Sequence, residues 1–186
     1  TDGGPLGAPE AESCLANLSG STQCSASDVK VSTITDIRIL KPCNFLGDTA
    51  LVSAVVEFEA SGDRYDVGIF IAADGGDAQT GQCTIATFPT APTPDPWLNL
   101  DTAADKCGDI DTTSRRANLV EIPILCVDPD NDGKVDVNGA LTWKQSGDNG
   151  LCATPQQALP GTPSKCSYES LTGQLDIPVP GEIVVQ

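Results

Sequence analysis

Between Ala50 and Ala60 the chain alternates. Ala50, Val52, Ala54, Val56, Phe58 and Ala60 fall on one face at period two, with Leu51, Ser53, Val55, Glu57 and Glu59 between them. That pattern predicts a strand with one face in a core. Val29 to Leu40 is β-branched and largely alternating, which predicts another. Tyr65 to Ala73 is apolar on both faces, through Val67, Ile69, Phe70 and Ile71, as expected of a central strand. Ser61-Gly62-Asp63 is a turn signal, so Ala50–Ala60 and Tyr65–Ala73 form a hairpin candidate. Gln82 to Phe88 and Leu119 to Val127 are further strands, with Pro123 marking an edge or a bulge in the second. Gly133 to Val137 and Ala140 to Lys144 suggest a short hairpin. No window sustains a helical period. Short strands separated by turn signals favour an all-β fold, an Ig-like or jelly-roll-type β-sandwich. Residues 89–118 are loop-like, with Pro89, Pro92, Pro94 and Pro96 ahead of Asp-rich turns. So long a connection is expected to be pinned by Cys107, with a bound cation as a second candidate tie.

The ends carry patterns of their own. Residues 1–13 are rich in Gly, Pro and Ala and are expected to form an extended arm ahead of a domain spanning 14–174. From 175 to 186 the odd positions Leu175, Ile177, Val179, Ile183 and Val185 are apolar. The even positions hold Asp176, Pro178, Pro180 and Glu182. This is a one-faced strand with proline on its outer side. It suits either the last edge strand of the domain's own sheet or a strand exchanged with a neighbouring subunit. The N-terminal arm is the competing donor.

Cysteine content sets the compartment. Cys14, Cys24, Cys43, Cys83, Cys107, Cys126, Cys152 and Cys166 occur in a chain with no His and no Cys-x-x-Cys, which favours disulfides over zinc or haem. Eight cysteines allow roughly a hundred full pairings. The local pairs Cys24–Cys43, Cys83–Cys107 and Cys152–Cys166 are the first expectations. Twenty-six acidic residues against ten basic ones give a net charge of −16. That argues against nucleic acid and against anionic membrane surfaces as partners. No segment approaches the length needed for membrane insertion. With Thr1 first and no signal-peptide pattern, the expectation is a mature secreted protein whose leader has been removed.

The most specific chemistry lies in Asp128-Pro-Asp130-Asn-Asp132-Gly133-Lys134-Val135-Asp136. Alternating carboxylates, a Gly for the sharp turn and the carbonyl of Lys134 can wrap a hard cation, and Ca2+ fits that donor set. The twelfth loop position is Gly139, where an EF-hand would place a bidentate Glu. A further ligand would come from elsewhere, with Asp148 a candidate. Bound cations would also relieve the self-repulsion of so acidic a chain. A second constellation combines Asp74-Gly75-Gly76-Asp77 with Asp105, Asp109 and Asp111. It is either a second calcium site or a set of ordinary turn residues.

Catalysis is not expected. Without His, no Ser/His/Asp or Cys/His arrangement can be built. Two Trp, two Tyr and four Phe leave little to stack sugars on, and Asp48-Thr49 and Asp111-Thr112 do not continue into aspartic-protease loops. Trp143 is expected to pack beside the acidic hairpin, and Trp97 to cap the proline-rich loop.

Several phrases resemble a module of secreted Gram-negative bacterial surface proteins. They are RYDVGIFIAADGGD at 64–77, TGQC at 80–83, KCGDI at 106–110, LCVDPDNDG at 125–133, LTWK at 141–144 and PGTPSKC at 160–166. The resemblance spans roughly residues 24–180. It implies an extracellular module of large Cys-rich, adhesin-like chains and carries no activity. That family has cysteines near positions 140 and 168, where this chain has Ala140 and Tyr168, and Cys14 is additional here. The pairing therefore stays open. The expected role is non-enzymatic: a subunit of a self-assembling extracellular fibre or surface layer, a homo-polymer stabilised by Ca2+ and disulfides. The alternative is a calcium-dependent adhesin or matrix module that binds glycan or a surface protein.

Overall fold

A computed structural model describes residue 24 and residues 26–72, 85–87, 97–101, 107–147 and 166–181. Within them run strands β1 (Val29–Lys41), β2 (Thr49–Ala60), β3 (Tyr65–Ala72), β4 (Ile85–Thr87), β5 (Arg115–Leu125), β6 (Asn138–Lys144) and β7 (Cys166–Ser170). One helical turn, α1 (Thr172–Leu175), follows. The strands form two antiparallel sheets, ordered β1-β2-β5 and β4-β3-β6-β7. The alternation in β2 buries Ala50, Val52, Ala54, Val56 and Phe58. β3 lies between β4 and β6, as its two apolar faces require. Val52, Val56 and Phe58 of one sheet and Val67, Ile69, Ile71, Leu141 and Trp143 of the other belong to one hydrophobic cluster.

Two local expectations are corrected. β2 and β3 do not pair. β2 pairs with β1 and β5, and the Ser61–Asp63 turn carries the chain from one sheet to the other. The backbone groups of that turn are taken by distant residues: Ser61 N–H donates to Asp28 O, and Arg64 exchanges both bonds with Ile110. Gly133–Val137 is not a hairpin strand against β6. It runs along the C-terminal segment, where Val135 N–H donates to Ile177 O and Val179 N–H donates to Gly133 O.

β1 sets the two poles of the molecule. Thirteen extended residues span about 40 Å at ~3.3 Å each. The pole where the chain enters holds residues 24–28, the β2–β3 turn and the end of β6. The far pole holds the β1–β2 turn, the end of β5 and the residues after it. This length rules out the Cys24–Cys43 pair, whose members sit at opposite ends of β1. Instead Cys24 bonds Cys166, and Cys43 bonds Cys126. Because Cys166 is taken by Cys24, the Cys152–Cys166 pair is also corrected. Cys107 is disulfide-bonded too. Cys14, Cys83 and Cys152 lie outside the described residues.

Both edges of the three-stranded sheet are irregular. β1 carries three register shifts against β2, and Asp36 within it has φ 51°. β5 has Pro123 and, at Glu121, φ 52°. Bulges and proline on edge strands deter strand addition.

The β1–β2 turn is braced by one carboxylate. Asp48 accepts from Lys41 Nζ at 2.7 Å, Asn44 N–H at 3.1 Å and Thr49 N–H at 2.8 Å. The Lys41 ammonium first, and then these backbone donors, hold its carboxyl far below the usual carboxylate range. A folded value below the unfolded one means the stabilisation is complete above the ordinary Asp range (about pH 4) and is lost as pH falls through the folded value. Thermal melts from pH 6 down to pH 2 should therefore fall more steeply for wild type than for Asp48→Asn. Parallel curves would remove this role.

On β6, the Thr142 hydroxyl is fully buried with no hydrogen-bond partner. Thr142→Val keeps the shape and removes the orphan. It should raise the unfolding free energy by about 1 kcal/mol in denaturant titrations, whereas a loss would show that the hydroxyl is used.

Candidate metal centre

The acidic loop follows directly from the end of β5 at the far pole. Cys126 is fixed by its disulfide and by two bonds to the β1–β2 turn, Gly47 N–H to Cys126 O and Cys126 N–H to Asp48 O, both 2.8 Å. The chain then folds back on its own carboxylates. Asp128 accepts from the N–H groups of Asp132 (3.1 Å) and Gly133 (3.0 Å), and Asp132 accepts from Lys134 N–H at 2.9 Å. Asn131 at φ 57° and Gly133 at φ 86° make the turn. Asn tolerates that left-handed region, and Gly enters it without cost from a Cβ. Asp136 returns to the loop because its N–H donates to Val127 O at 3.0 Å.

One ligand oxygen each from Asp128, Asp130, Asp132 and Asp136 can be drawn within 4.8 Å of one another. The spacing in the sequence thus does bring the four predicted carboxylates together. In the C-terminal pairing, Gly133 O and Val135 N carry the bonds, leaving the Lys134 carbonyl outside that ladder. The Lys134 ammonium pairs with Asp176 Oδ1 at 3.1 Å. Gly139 cannot supply the missing twelfth ligand. It is buried in β6, where a Cβ would meet Phe70 O at 3.1 Å and Leu171 Cδ1 at 3.4 Å. Asp148 lies outside the described residues.

The electrostatics of the loop are those of crowded anions. Desolvation opposes ionisation of Asp128, but hydrogen bonds from Gly133 N–H, Asp130, Asp132 N–H and Asn131 N–H outweigh it and lower its pKa. Asp130 is raised, first by its side-chain bond to Asp128 and then by desolvation. Asp136 is raised by desolvation and then by the charges of Asp130, Asp132 and Asp128. A hard divalent cation would relieve each of these costs with oxygen ligands alone.

A second acidic group sits at the entry pole. Asp66, Asp101 and Asp109 also bring carboxylate oxygens within 4.8 Å of one another. Asp66 and Asp109 are fully buried. Asp109 accepts from Asp66 N–H at 2.9 Å and from Leu100 N–H at 2.7 Å. Asp66 Oδ2 lies 2.8 Å from Lys144 Nζ. Of the predicted second constellation, Asp109 is here, while Asp74, Asp77 and Asp105 lie outside the described residues. Asp111 instead pairs with Arg115. Sequence reasoning missed Asp66 and Asp101. The signal for Asp66 was a lone carboxylate inside a strand apolar on both faces.

The C-terminal residues divide. Leu175 ends α1 rather than starting a strand, and Leu175 and Ile177 are buried in this chain's own core, with Val179 packed against it. Ile183 and Val185 lie outside the described residues. Both tryptophans are buried. Trp97 packs on Phe58 with ring centroids 5.7 Å apart and donates from Nε1 to Arg116 O, and Trp143 is in the core cluster.

No family model matches the chain, and no curated protein matches it. Among the described residues no helix is long and apolar enough to cross a membrane. The disulfides fit an oxidising, extracellular environment.

Proposed function

We propose that this chain is a non-enzymatic, secreted structural module: an Ig-like β-sandwich held by Ca2+ and disulfides, and a subunit of a self-assembling fibre or surface layer. The strand order supports the sandwich. The chain changes sheet between β2 and β3, β4 and β5, and β5 and β6, as in the Greek-key connections of Ig-like domains. The resemblance to modules of bacterial surface proteins points the same way.

One observation carries the reading. The acidic loop is built into the closure of the fold, with its first half on the Cys43–Cys126 disulfide and its second half bonded to residues 171–179. Calcium at Asp128, Asp130, Asp132, Asp136 and the Lys134 carbonyl would then act as a structural rivet between the end of β5 and the C-terminal segment. With Leu175 and Ile177 committed to their own core, the linking role falls to the N-terminal arm.

The test is calorimetric titration of calcium into the chelated protein, alongside electron microscopy with and without calcium. Saturable binding that Asp130→Asn/Asp132→Asn abolishes, together with regular polymers, is the expected result. Absence of binding removes calcium from the proposal. Monomers at every concentration remove the assembly role.

A further inference from the structure

Asp66 is a carboxylate in a strand otherwise given to the core. It is fully buried in β3, ahead of Val67, Ile69, Phe70 and Ile71, which are buried too. Its backbone is in the left-handed region at φ 53°, and the register of β3 against β6 shifts between Tyr65 and Gly68. A bulge of this kind re-aims a side chain, and positive φ at a residue other than Gly is strain that folds keep mainly at functional positions. The carboxyl so placed meets an amine. Lys144 Nζ, from the neighbouring strand β6, lies 2.8 Å from Asp66 Oδ2, and the two side chains are 14% and 0% exposed.

An ion pair is a costly way to fill such a site. Removing two charges from water costs about as much as their attraction returns. A buried carboxyl and amine can instead pass the proton between them and stand as an acid beside a free-base amine. Those are the two reactants of an amide. Contact between them replaces a bimolecular encounter, and a closed site keeps water from reversing the condensation. Asp109 supplies the remaining part. It is fully buried, it is held by the N–H groups of Asp66 at 2.9 Å and Leu100 at 2.7 Å, and it brings an oxygen within 4.8 Å of one on Asp66. Asp101, half-buried, brings an oxygen within the same distance. This group already has an ammonium against one of its carboxylates. That sets it apart from the acidic loop, where the Lys134 ammonium is engaged by Asp176.

We infer that Asp66 and Lys144 become joined by an isopeptide bond that the fold itself forms. The Nζ lone pair attacks Asp66 Cγ and makes a C–N bond, and the C–O bond to the acid's hydroxyl breaks. Asp109 takes one proton from the nitrogen and hands it to the departing hydroxyl, which leaves as water. Nothing is oxidised or reduced, and no co-reactant is consumed. The product buries an amide in place of two charges. β3 and β6 are the central pair of the four-stranded sheet, so the bond ties that pair at the entry pole while Cys43–Cys126 ties the far pole. Unlike a disulfide it survives reductant, and it depends on neither calcium nor assembly.

Mass spectrometry of the full chain tests it, on protein reduced and alkylated under denaturing conditions so that the disulfides are open. Wild type should weigh one water less than its alkylated sequence. Trypsin should release 65–106 joined to 135–165 as one branched peptide, uncut after Lys144, with fragment ions placing the link at Asp66 and Lys144. Lys144→Arg keeps the cation, but an always-charged guanidinium is no nucleophile, so the full mass should return. Asp109→Asn can still accept a backbone N–H. It should cut the linked fraction at least tenfold while its circular dichroism matches wild type. Wild type at full mass, with 65–106 and 135–144 released separately, overturns the bond whatever the variants do. A missing water that persists in Lys144→Arg belongs to a succinimide elsewhere and overturns it too. Linkage undiminished in Asp109→Asn overturns the role of that carboxylate.

Discussion

Replacing Cys24 and Cys166 together by alanine should lower the unfolding free energy by about 5 kcal/mol, the estimate for a loop of this length. The bond closes a sequence separation of 142 residues with the Cys43–Cys126 bond nested inside it, so its loss frees the two stretches that flank that crosslink in the unfolded state. It also joins the lead-in to β1 in one sheet to the first residue of β7 in the other. Around it, Ala26 N–H donates to Cys166 O and the buried Ser167 hydroxyl donates to Val29 O. Without the covalent tie these bonds hold a fraying end. Against a typical total of roughly 5–15 kcal/mol, such a loss brings the fold close to unfolding. Removing Cys43–Cys126, with a separation of 83 residues, should cost slightly less, about 4.5 kcal/mol on the same scaling. Guanidinium titrations of the two double variants decide it. A loss under about 1 kcal/mol for the first would mean that the bond constrains little.

What the sequence conceals follows from the same example. The strands themselves were legible: β2 from its period-two face, and β3 as a central strand from apolar residues on both sides. Their pairing was not. Ser61-Gly62-Asp63 serves a hairpin and a sheet crossing equally well, and the choice is made by Asp28 and Ile110, which bond the turn from far away. Cys24 and Cys43 look adjacent in sequence, yet the strand between them separates them by its full length. The four carboxylates of the acidic loop were legible because ligand spacing is local. The destination of Gly133–Val137 was not, since its bonds run to residues some forty positions on. The α1 turn escaped notice because a four-residue helix leaves no periodic pattern. The exposure of Ile39 and Leu40 was invisible for a related reason: they continue an alternating strand, and only the three-dimensional edge leaves them uncovered.

Chelation should loosen the C-terminal segment before it loosens the sheets. Residues 176–179 are held by Gly133 O, Val135 N–H and the Lys134–Asp176 ion pair, all on the descending half of the acidic loop. Stripped of a cation, Asp128, Asp130, Asp132 and Asp136 face one another, and the ionised forms of Asp130 and Asp136 are disfavoured. Relief requires the loop to open, and opening moves the backbone on which the segment lies. A cation present at about a hundred to a thousand times its dissociation constant stabilises the fold by ~3–4 kcal/mol, or about 10 °C in melting temperature for a domain of this size. Chelator should remove that increment. It should also accelerate hydrogen exchange at the Val135 and Val179 amides by more than tenfold, while Val52 and Val56 in β2 stay protected. Asp132→Asn is the discriminating variant. Its Oδ1 still accepts from Lys134 N–H, so the turn survives and only the charge is lost. The variant should melt at one temperature with or without calcium, and its Val179 amide should exchange as fast as in chelated wild type. Equal exchange at Val179 in calcium and in chelator, for wild type, would separate the acidic loop from the segment docked on it.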